Sequence, residues 1–251
     1  MIKYMISLLA FALLAIASPA NAGWYEVKNY VGTIGKSPIH ISLQTYDYIN
    51  HGEQAQWRVD GSYYYDDYRT PIPLQGKRQQ NGDMVLCEAR LPLSAADEPA
   101  VPTASSAHPV PCPISLTFQG EAAMGVWLDG KKNLPITLRQ VGSLNDTGVV
   151  RLEGVIEIPM WYHTKKHLLL GIYQTSQECP VSMLQLRLLN IRTGQIDREI
   201  AFDCMAGMIM TSIYANVSDG PTAHQITVGF QGGKMGYDEV VDIAPRQAKR
   251  K

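Results

Sequence analysis

The stretch WRVDGSYYYDDYRTPIPLQG, residues 57–76, shows most directly how this chain folds. Its first half alternates in character, as residues do when they point to opposite faces of a β-strand. One face holds Trp57, Val59, Gly61, Tyr63 and Tyr65, and the other holds Arg58, Asp60, Ser62 and Tyr64. The aspartates and the proline that follow are typical of a turn. The stretch therefore predicts a β-hairpin whose first strand places Tyr63 and Tyr65 in the core.

The same alternation recurs along most of the chain. It is clear in PIHISLQ (38–44), VVRLEGVIEI (149–158) and HQITVGF (224–230), and no long segment has a helical period. A longer stretch, 183–204, predicts a hairpin that turns at Thr193–Gly194. Many short strands separated by turn residues predict an all-β fold, an antiparallel sandwich or barrel-like structure, built as one fold or as two β units.

The N-terminal residues 1–22 have the pattern of a secretory signal peptide. Lys3 precedes an apolar run, and Ala20 and Ala22 form an A-x-A-type cleavage site. The apolar run is short for a bilayer span, and the mature chain is expected not to span a membrane. We therefore expect a bacterial protein that is periplasmic or secreted.

All four cysteines, Cys87, Cys112, Cys179 and Cys204, follow this segment. An even number of cysteines in an exported chain predicts disulfide bonds. We predict the pairs Cys87–Cys112 and Cys179–Cys204, because the two pairs are equally spaced and each brackets local structure. The absence of a C-x-x-C pair argues against zinc.

Composition divides the mature chain into three parts. Residues 23–143 form a predicted tyrosine-rich β domain, residues 144–244 a second β unit, and residues 245–251 a basic, disordered tail. Proline recurs through 93–113, which predicts a long surface loop. The formal net charge is −1, and four of the 22 lysines and arginines lie in the tail, so the rest of the chain is acidic, which argues against nucleic acid as a partner.

Several short patterns in the first half occur together in one known group of proteins. They are G-x-I-G, G-x-Y-Y-Y, P-I-x-L-x-G, F-x-G and G-x-W…L-P-x-x-L, formed by Gly32, Ile34, Gly35, Gly61, Tyr63, Tyr64, Tyr65, Pro71, Ile72, Leu74, Gly76, Phe118, Gly120, Gly125, Trp127, Leu134, Pro135 and Leu138. The set resembles a pattern of uncharacterised secreted bacterial β-proteins and covers about Tyr30 to Val141. The resemblance implies an envelope protein and no particular activity.

Catalytic and cofactor motifs are weak in this sequence. GTIGKS (32–37) lacks the first glycine of a phosphate-binding loop and precedes a strand instead of a helix. HTKKH (163–167) has Thr164 where a zinc protease has glutamate, so a solvated turn is expected. Asp66 and Asp67 are adjacent and would point to opposite faces of a strand, which disfavours a catalytic pair. We expect no metal and no cofactor.

The remaining candidate is a binding patch in the opening stretch. Alternation predicts that Tyr64 projects outward beside Asp66 and Asp67, with Tyr68 on the turn, and exposed tyrosines are good contact residues. The sequence thus favours an exported, non-catalytic binding protein, such as an inhibitor or immunity-type module acting on an envelope protein. The alternatives are an envelope glycan-binding protein or glycan hydrolase, and a structural component whose sheet edge pairs with a neighbour.

Overall fold

The computed structural model describes residues 25–46, 57–89, 112–145, 150–152, 155–174, 182–207, 212–230 and 236–244. The predicted signal peptide, the basic tail and most of the proline-rich loop lie outside the described residues. Among those described, no helix is long and apolar enough to cross a membrane. The fold is all-β, as the sequence predicts.

Strands β1 to β8 form a closed antiparallel barrel. They are β1 (Tyr25–Ile34), β2 (Ser37–Tyr46), β3 (Trp57–Tyr65), β4 (Ile72–Arg78), β5 (Met84–Glu88), β6 (Ile114–Gln119), β7 (Ala122–Asp129) and β8 (Lys132–Asn145). Each strand pairs with the next, and β1 also pairs with β8, which closes the sheet. The short strand β9 (Val150–Leu152) pairs with the end of β8.

Two glycines of the opening stretch allow the barrel strands to approach closely. A Cβ added at Gly61 would lie 2.6 Å from the Ser42 carbonyl oxygen, and one at Gly76 would lie 2.1 Å from that of Val85. No side chain fits at such distances, so these positions require glycine. Glycines of this kind permit the strong coiling that closes a small barrel.

Side chains fill the barrel interior, as expected for a barrel of eight strands. The buried set is Tyr30, Ile34, Ile39, Ile41, Leu43, Val59, Tyr63, Leu74, Met84, Leu86, Ile114, Leu116, Ala123, Ile136 and Leu138. Tyr63 is 1 % exposed and Tyr65 is partly buried against this core. The predicted inward direction is confirmed for Val59, Tyr63 and Tyr65 of β3.

The rest of the described chain forms two smaller antiparallel sheets. The first contains β10 (Val155–Pro159), β11 (His167–Gln174), β12 (Ser182–Asn190) and β13 (Ile196–Ala201). The second contains β14 (Val217–Asp219), β15 (Gln225–Phe230) and β16 (Tyr237–Asp242), preceded by a 3-10 turn at Ile213–Ala215. The hairpin predicted around Thr193–Gly194 is the β12–β13 hairpin. We call β10 to β16 the second unit.

The second unit packs on the outer face of β2 and β3. Alternation predicts an outward, solvated face for Ser42, Gln44, Asp60 and Ser62, but each is at most 1 % exposed. The outward direction is right and the solvent exposure is wrong, because another part of the chain covers this face. We call these four residues the polar seam.

Hydrogen bonds join the second unit to the barrel across the seam. They run from Trp161 Nε1 to the Gly61 carbonyl oxygen at 2.7 Å, from the Ile213 amide to Gln44 Oε1 at 3.1 Å, and from the Tyr214 hydroxyl to Ser42 Oγ at 3.0 Å. The apolar core of the second unit also includes Val27 and Leu144 of the barrel. Both polar and apolar contacts therefore hold the two parts together.

The cysteines agree with the predicted framework where they are described. Cys87 and Cys112 form a disulfide that ties the end of β5 to the residues just before β6. Cys204 is also disulfide-bonded, and its predicted partner, Cys179, lies outside the described residues. The predicted boundary near residue 143 falls within β8, which runs on to Asn145.

Candidate functional site

The turn between β3 and β4, residues 66–71, carries three of the four predicted contact residues. We call it the Tyr68 turn. Tyr68 is 70 % exposed, the largest exposure among the large hydrophobic side chains that are described, and Asp67 is exposed beside it. The hairpin-turn role predicted for Asp66 and Asp67 is confirmed.

Hydrogen bonds hold the Tyr68 turn against the barrel. The Asp66 amide donates to the Pro38 carbonyl oxygen at 3.1 Å, and the Asp66 carboxylate contacts His40 Nδ1 at 2.7 Å. The amides of Tyr68 and Arg69 both donate to the Tyr65 carbonyl oxygen, at 3.0 and 2.8 Å. The backbone around Tyr68 is thus held on both sides of the exposed ring.

Arg69 ties the same turn to the second unit. Its φ of 51° lies in the left-handed region, which is uncommon for a residue with a side chain. The guanidinium Nη1 donates to the Ile191 carbonyl oxygen at 3.2 Å, on the turn between β12 and β13. A Cβ added at Gly194 would lie 3.0 Å from the guanidinium carbon, so glycine leaves room for it.

A line of aromatic rings leads from Tyr68 to the end of the barrel core. Tyr68 meets Tyr65 edge-on, with ring centroids 6.5 Å apart, and Tyr65 meets Tyr63 at 5.6 Å. The Tyr63 hydroxyl donates to Glu88 Oε1 at 2.6 Å, and Trp127 Nε1 donates to the same oxygen at 3.0 Å. Burial, and then the Glu88 hydrogen bond, raise the pKa of Tyr63 far above its usual range, so its hydroxyl stays a donor.

Tyr64 is not part of this exposed surface. It projects outward from the barrel as predicted, but it is only 8 % exposed and packs with Leu168, Leu170 and Ile172 of the second unit. Its ring stacks on His40 at 5.1 Å. Burial raises its pKa, the nearby Asp66 adding to the effect. The prediction that Tyr64 is exposed was wrong, because β11 covers this position.

The second histidine of the HTKKH stretch lies in a cluster of charged side chains. His167 begins β11 and contacts Asp197 at 2.9 Å, together with Lys166 at 2.7 Å. Lys166 and then His167 hold the pKa of the Asp197 carboxyl well below its usual range. Within the described parts of the chain, no group of three or more histidine, cysteine or acidic side chains could hold a metal ion.

Two residues of the site, Glu88 and Arg69, had no signal in the sequence. Glu88 is one acidic residue among many, and its partners Tyr63 and Trp127 come from β3 and β7. Arg69 acts on a carbonyl far along the chain, at Ile191. Such long-range contacts leave no local pattern. Only the fold, once known, brings these residues together.

No protein-family model, no curated protein and no solved structure matches this chain.

Proposed function

We propose that this chain is a non-catalytic binding protein that uses the Tyr68 turn to contact an envelope protein. The observation that carries the proposal is one ring, Tyr68, 70 % exposed on a turn held by hydrogen bonds from both parts of the molecule. Tyrosine combines a large contact area with a polar hydroxyl and is enriched at the centres of protein interfaces.

The restraints on the turn support binding as much as the exposed ring does. A partner that contacts a mobile loop must order it, which costs affinity. Here Asp66 is already bonded to His40 and Arg69 to Ile191. Tyr68 therefore resembles the rigid aromatic anchors of evolved binding surfaces, which lose little conformational entropy on binding.

The proposed location is the periplasm or the outside of a bacterial cell. The disulfide Cys87–Cys112 supports an oxidising compartment, and the signal-like residues 1–22 support export. The resemblance of the first half of the chain to secreted bacterial β-proteins also supports this location. An inhibitor or immunity-type module that covers an envelope enzyme or toxin fits these features.

Affinity capture with matched variants tests the proposal. Oxidised, tagged residues 23–251 would be incubated with envelope extract, and bound proteins would be identified by mass spectrometry. We compare the unchanged chain, Tyr68→Ala and Met124→Ala. Met124 is a control because it is a large apolar side chain, 49 % exposed on β7, outside the Tyr68 turn.

We expect one protein to be retained by the unchanged chain and by Met124→Ala, and lost with Tyr68→Ala. Loss of an anchor tyrosine at an interface typically weakens binding by about 2 kcal/mol or more, at least thirty-fold. Equal retention by all three chains would place the contact elsewhere and remove the Tyr68 turn from the proposal.

A second candidate, glycan binding, draws support from Glu88. Its carboxylate lies beside Trp127 and Tyr63 at the same end of the barrel, and carboxylates with aromatic rings are suited to sugar hydroxyls and apolar sugar faces. Retention of the chain on purified sacculi, lost with Trp127→Phe/Glu88→Gln, would favour it. A hydrolase would need a second carboxylate opposite Glu88.

A further inference from the structure

Strand β16 (Tyr237–Asp242) forms an edge of the three-stranded sheet. It pairs with β15 on one side, with Tyr237 opposite Phe230 and Asp242 opposite Gln225. Among the described residues, no strand pairs with its other side. An edge of this kind presents backbone donors and acceptors to solvent and is a template for another strand.

The hydrogen-bond pattern shows which backbone groups are presented. The Ile243 amide donates to the His224 carbonyl oxygen at 2.8 Å, so Ile243 faces β15. Backbone groups alternate in direction along a strand. Val241, Glu239 and Tyr237 therefore also face β15, and the amides of Asp238, Val240 and Asp242 point to the open edge.

Contacts of β15 agree with this assignment. Gly229 is the partner of Asp238, and its amide donates to the Asn216 carbonyl oxygen at 2.9 Å, away from β16. Gly229 and Asp238 are therefore opposite each other without a backbone hydrogen bond between them, as in every second pair of an antiparallel ladder. The open edge offers alternating donors and acceptors over the length of the strand.

The side chains of β16 are exposed and largely acidic. Asp238, Glu239 and Asp242 are exposed, and so are Tyr237 at 54 % and Val240 at 49 %. The strand has an unpaired edge, exposed apolar surface and acidic side chains in one short segment. That combination complements an extended segment with alternating basic and apolar residues.

We propose that β16 accepts an extended basic segment of a partner protein as an added β-strand. Backbone hydrogen bonds to Asp238, Val240 and Asp242 would hold the segment, and the carboxylates would select basic side chains. This surface is separate from the Tyr68 turn, and the inference goes beyond the function proposed above.

Charge argues against a second copy of β16 as the occupant. In a pair of two β16 strands, Asp238, Glu239 and Asp242 of each copy would lie close to those of the other. Like charges across a strand pair are destabilising. The acidic edge therefore opposes self-association while it admits basic strands, a common way to obtain specificity.

The test measures binding of short fluorescent peptides by anisotropy. The probe is a peptide with alternating lysine and valine. One comparison peptide has glutamate for lysine, and another has proline for valine, which keeps the charge but cannot form a strand. We expect the first peptide to bind, with an affinity that falls as salt rises, and the other two to bind at least ten-fold more weakly.

A pair of variants separates strand addition from simple charge attraction. Val240→Pro removes an amide at the open edge and leaves the β15 ladder intact, and Val240→Thr keeps the amide. We expect Val240→Pro to weaken binding about ten-fold relative to Val240→Thr, since a lost backbone bond also displaces its neighbours. Circular dichroism would verify that both variants fold.

Three results would overturn the proposal. They are no measurable binding of the lysine–valine peptide, equal binding by Val240→Pro and Val240→Thr, and a concentration-dependent dimer that Val240→Pro abolishes. Tyr68→Ala should bind the peptide as the unchanged chain does. Failure at β16 and failure at the Tyr68 turn are thereby distinguishable.

Discussion

Asp60 is the residue whose chemistry depends most on its surroundings. It is completely buried in the polar seam, and Arg58 Nη2 lies 2.9 Å from Oδ2, within ion-pair distance. Burial raises the pKa of Asp60 to about 6, with Arg58 opposing the shift. The seam therefore holds a carboxyl group that binds a proton near neutral pH.

Substitution of Asp60 by asparagine should alter how stability depends on pH. The folded-state pKa, about 6, lies above the ordinary value of 3.8, so the folded state gains stability as pH falls through 6. Between about pH 7.5 and 4.5 we expect the free energy of unfolding to rise by about 2 kcal/mol in the unchanged chain relative to Asp60→Asn. Urea unfolding at several pH values measures this difference.

An exposed carboxylate of the Tyr68 turn provides the control. Asp67→Asn makes the same substitution at an exposed position outside the polar seam. If the curve for Asp60→Asn ran parallel to that of the unchanged chain, Asp60 would titrate alike in the folded and unfolded chains. The interpretation of the seam as a proton-binding interface would then be wrong.

The Tyr68 turn shows, at the scale of an element, how one strained position joins two sheets. Arg69 adopts a φ of 51° and donates to Ile191. Arg69→Ala removes the hydrogen bond and keeps the strain, whereas Arg69→Gly removes both. We expect both variants to be less stable than the unchanged chain, and Arg69→Gly to be more stable than Arg69→Ala by about 1 kcal/mol. Thermal unfolding of the three chains compares them, and equal stability of the variants would argue against backbone strain at this position.

The disulfide between β5 and β6 should stabilise the barrel by closing a long segment. Cys87 and Cys112 are separated by 25 positions, and a closure of that length contributes about 3 kcal/mol in the chain-entropy model. We expect Cys87→Ser/Cys112→Ser to lower the free energy of unfolding by about that amount, measured in urea without reductant. A loss below about 1 kcal/mol would mean that the unfolded segment is already compact.

Alternation in the sequence predicts where strands and turns lie, but it does not predict which outward faces other parts of the chain bury. It places Tyr63 inward and Tyr64 outward, and the aspartates after them on a turn, because these features depend on neighbouring residues. Whether an outward face meets water depends on distant parts of the chain. Tyr64 and Asp60 are buried because the second unit covers them. The binding surface was therefore predicted only in part, at Tyr68 and its adjoining aspartates.

Taken whole, the molecule has separate apolar cores in the barrel and in the second unit, and barrel strands contribute residues to the core of the second unit. Val27 and Leu144 belong to barrel strands but pack in the core of the second unit, and Trp161 of the second unit donates to Gly61 of the barrel. When two parts of a chain share a hydrophobic interface, unfolding of one part exposes the apolar surface of the other and destabilises it. We therefore expect the barrel and the second unit to unfold together.

Tryptophan substitutions test this coupling. Trp161→Phe removes the indole donor to the buried Gly61 carbonyl, and we expect a loss of about 1 kcal/mol with a single transition still seen by fluorescence and circular dichroism. Trp127→Phe is the control, since Glu88 keeps the Tyr63 hydroxyl as donor, and its loss should be smaller. Two separate transitions in the unchanged chain would contradict the coupling.

Barrel closure has a consequence for the time course of folding. Glu26 of β1 pairs with Asn145 of β8, so β1 cannot form its second strand pairing until β8 has been synthesised. Pairings between such distant positions form slowly, because a large loop must be closed before they are made. During synthesis the barrel therefore remains open until residue 145 has been added, more than halfway along the chain.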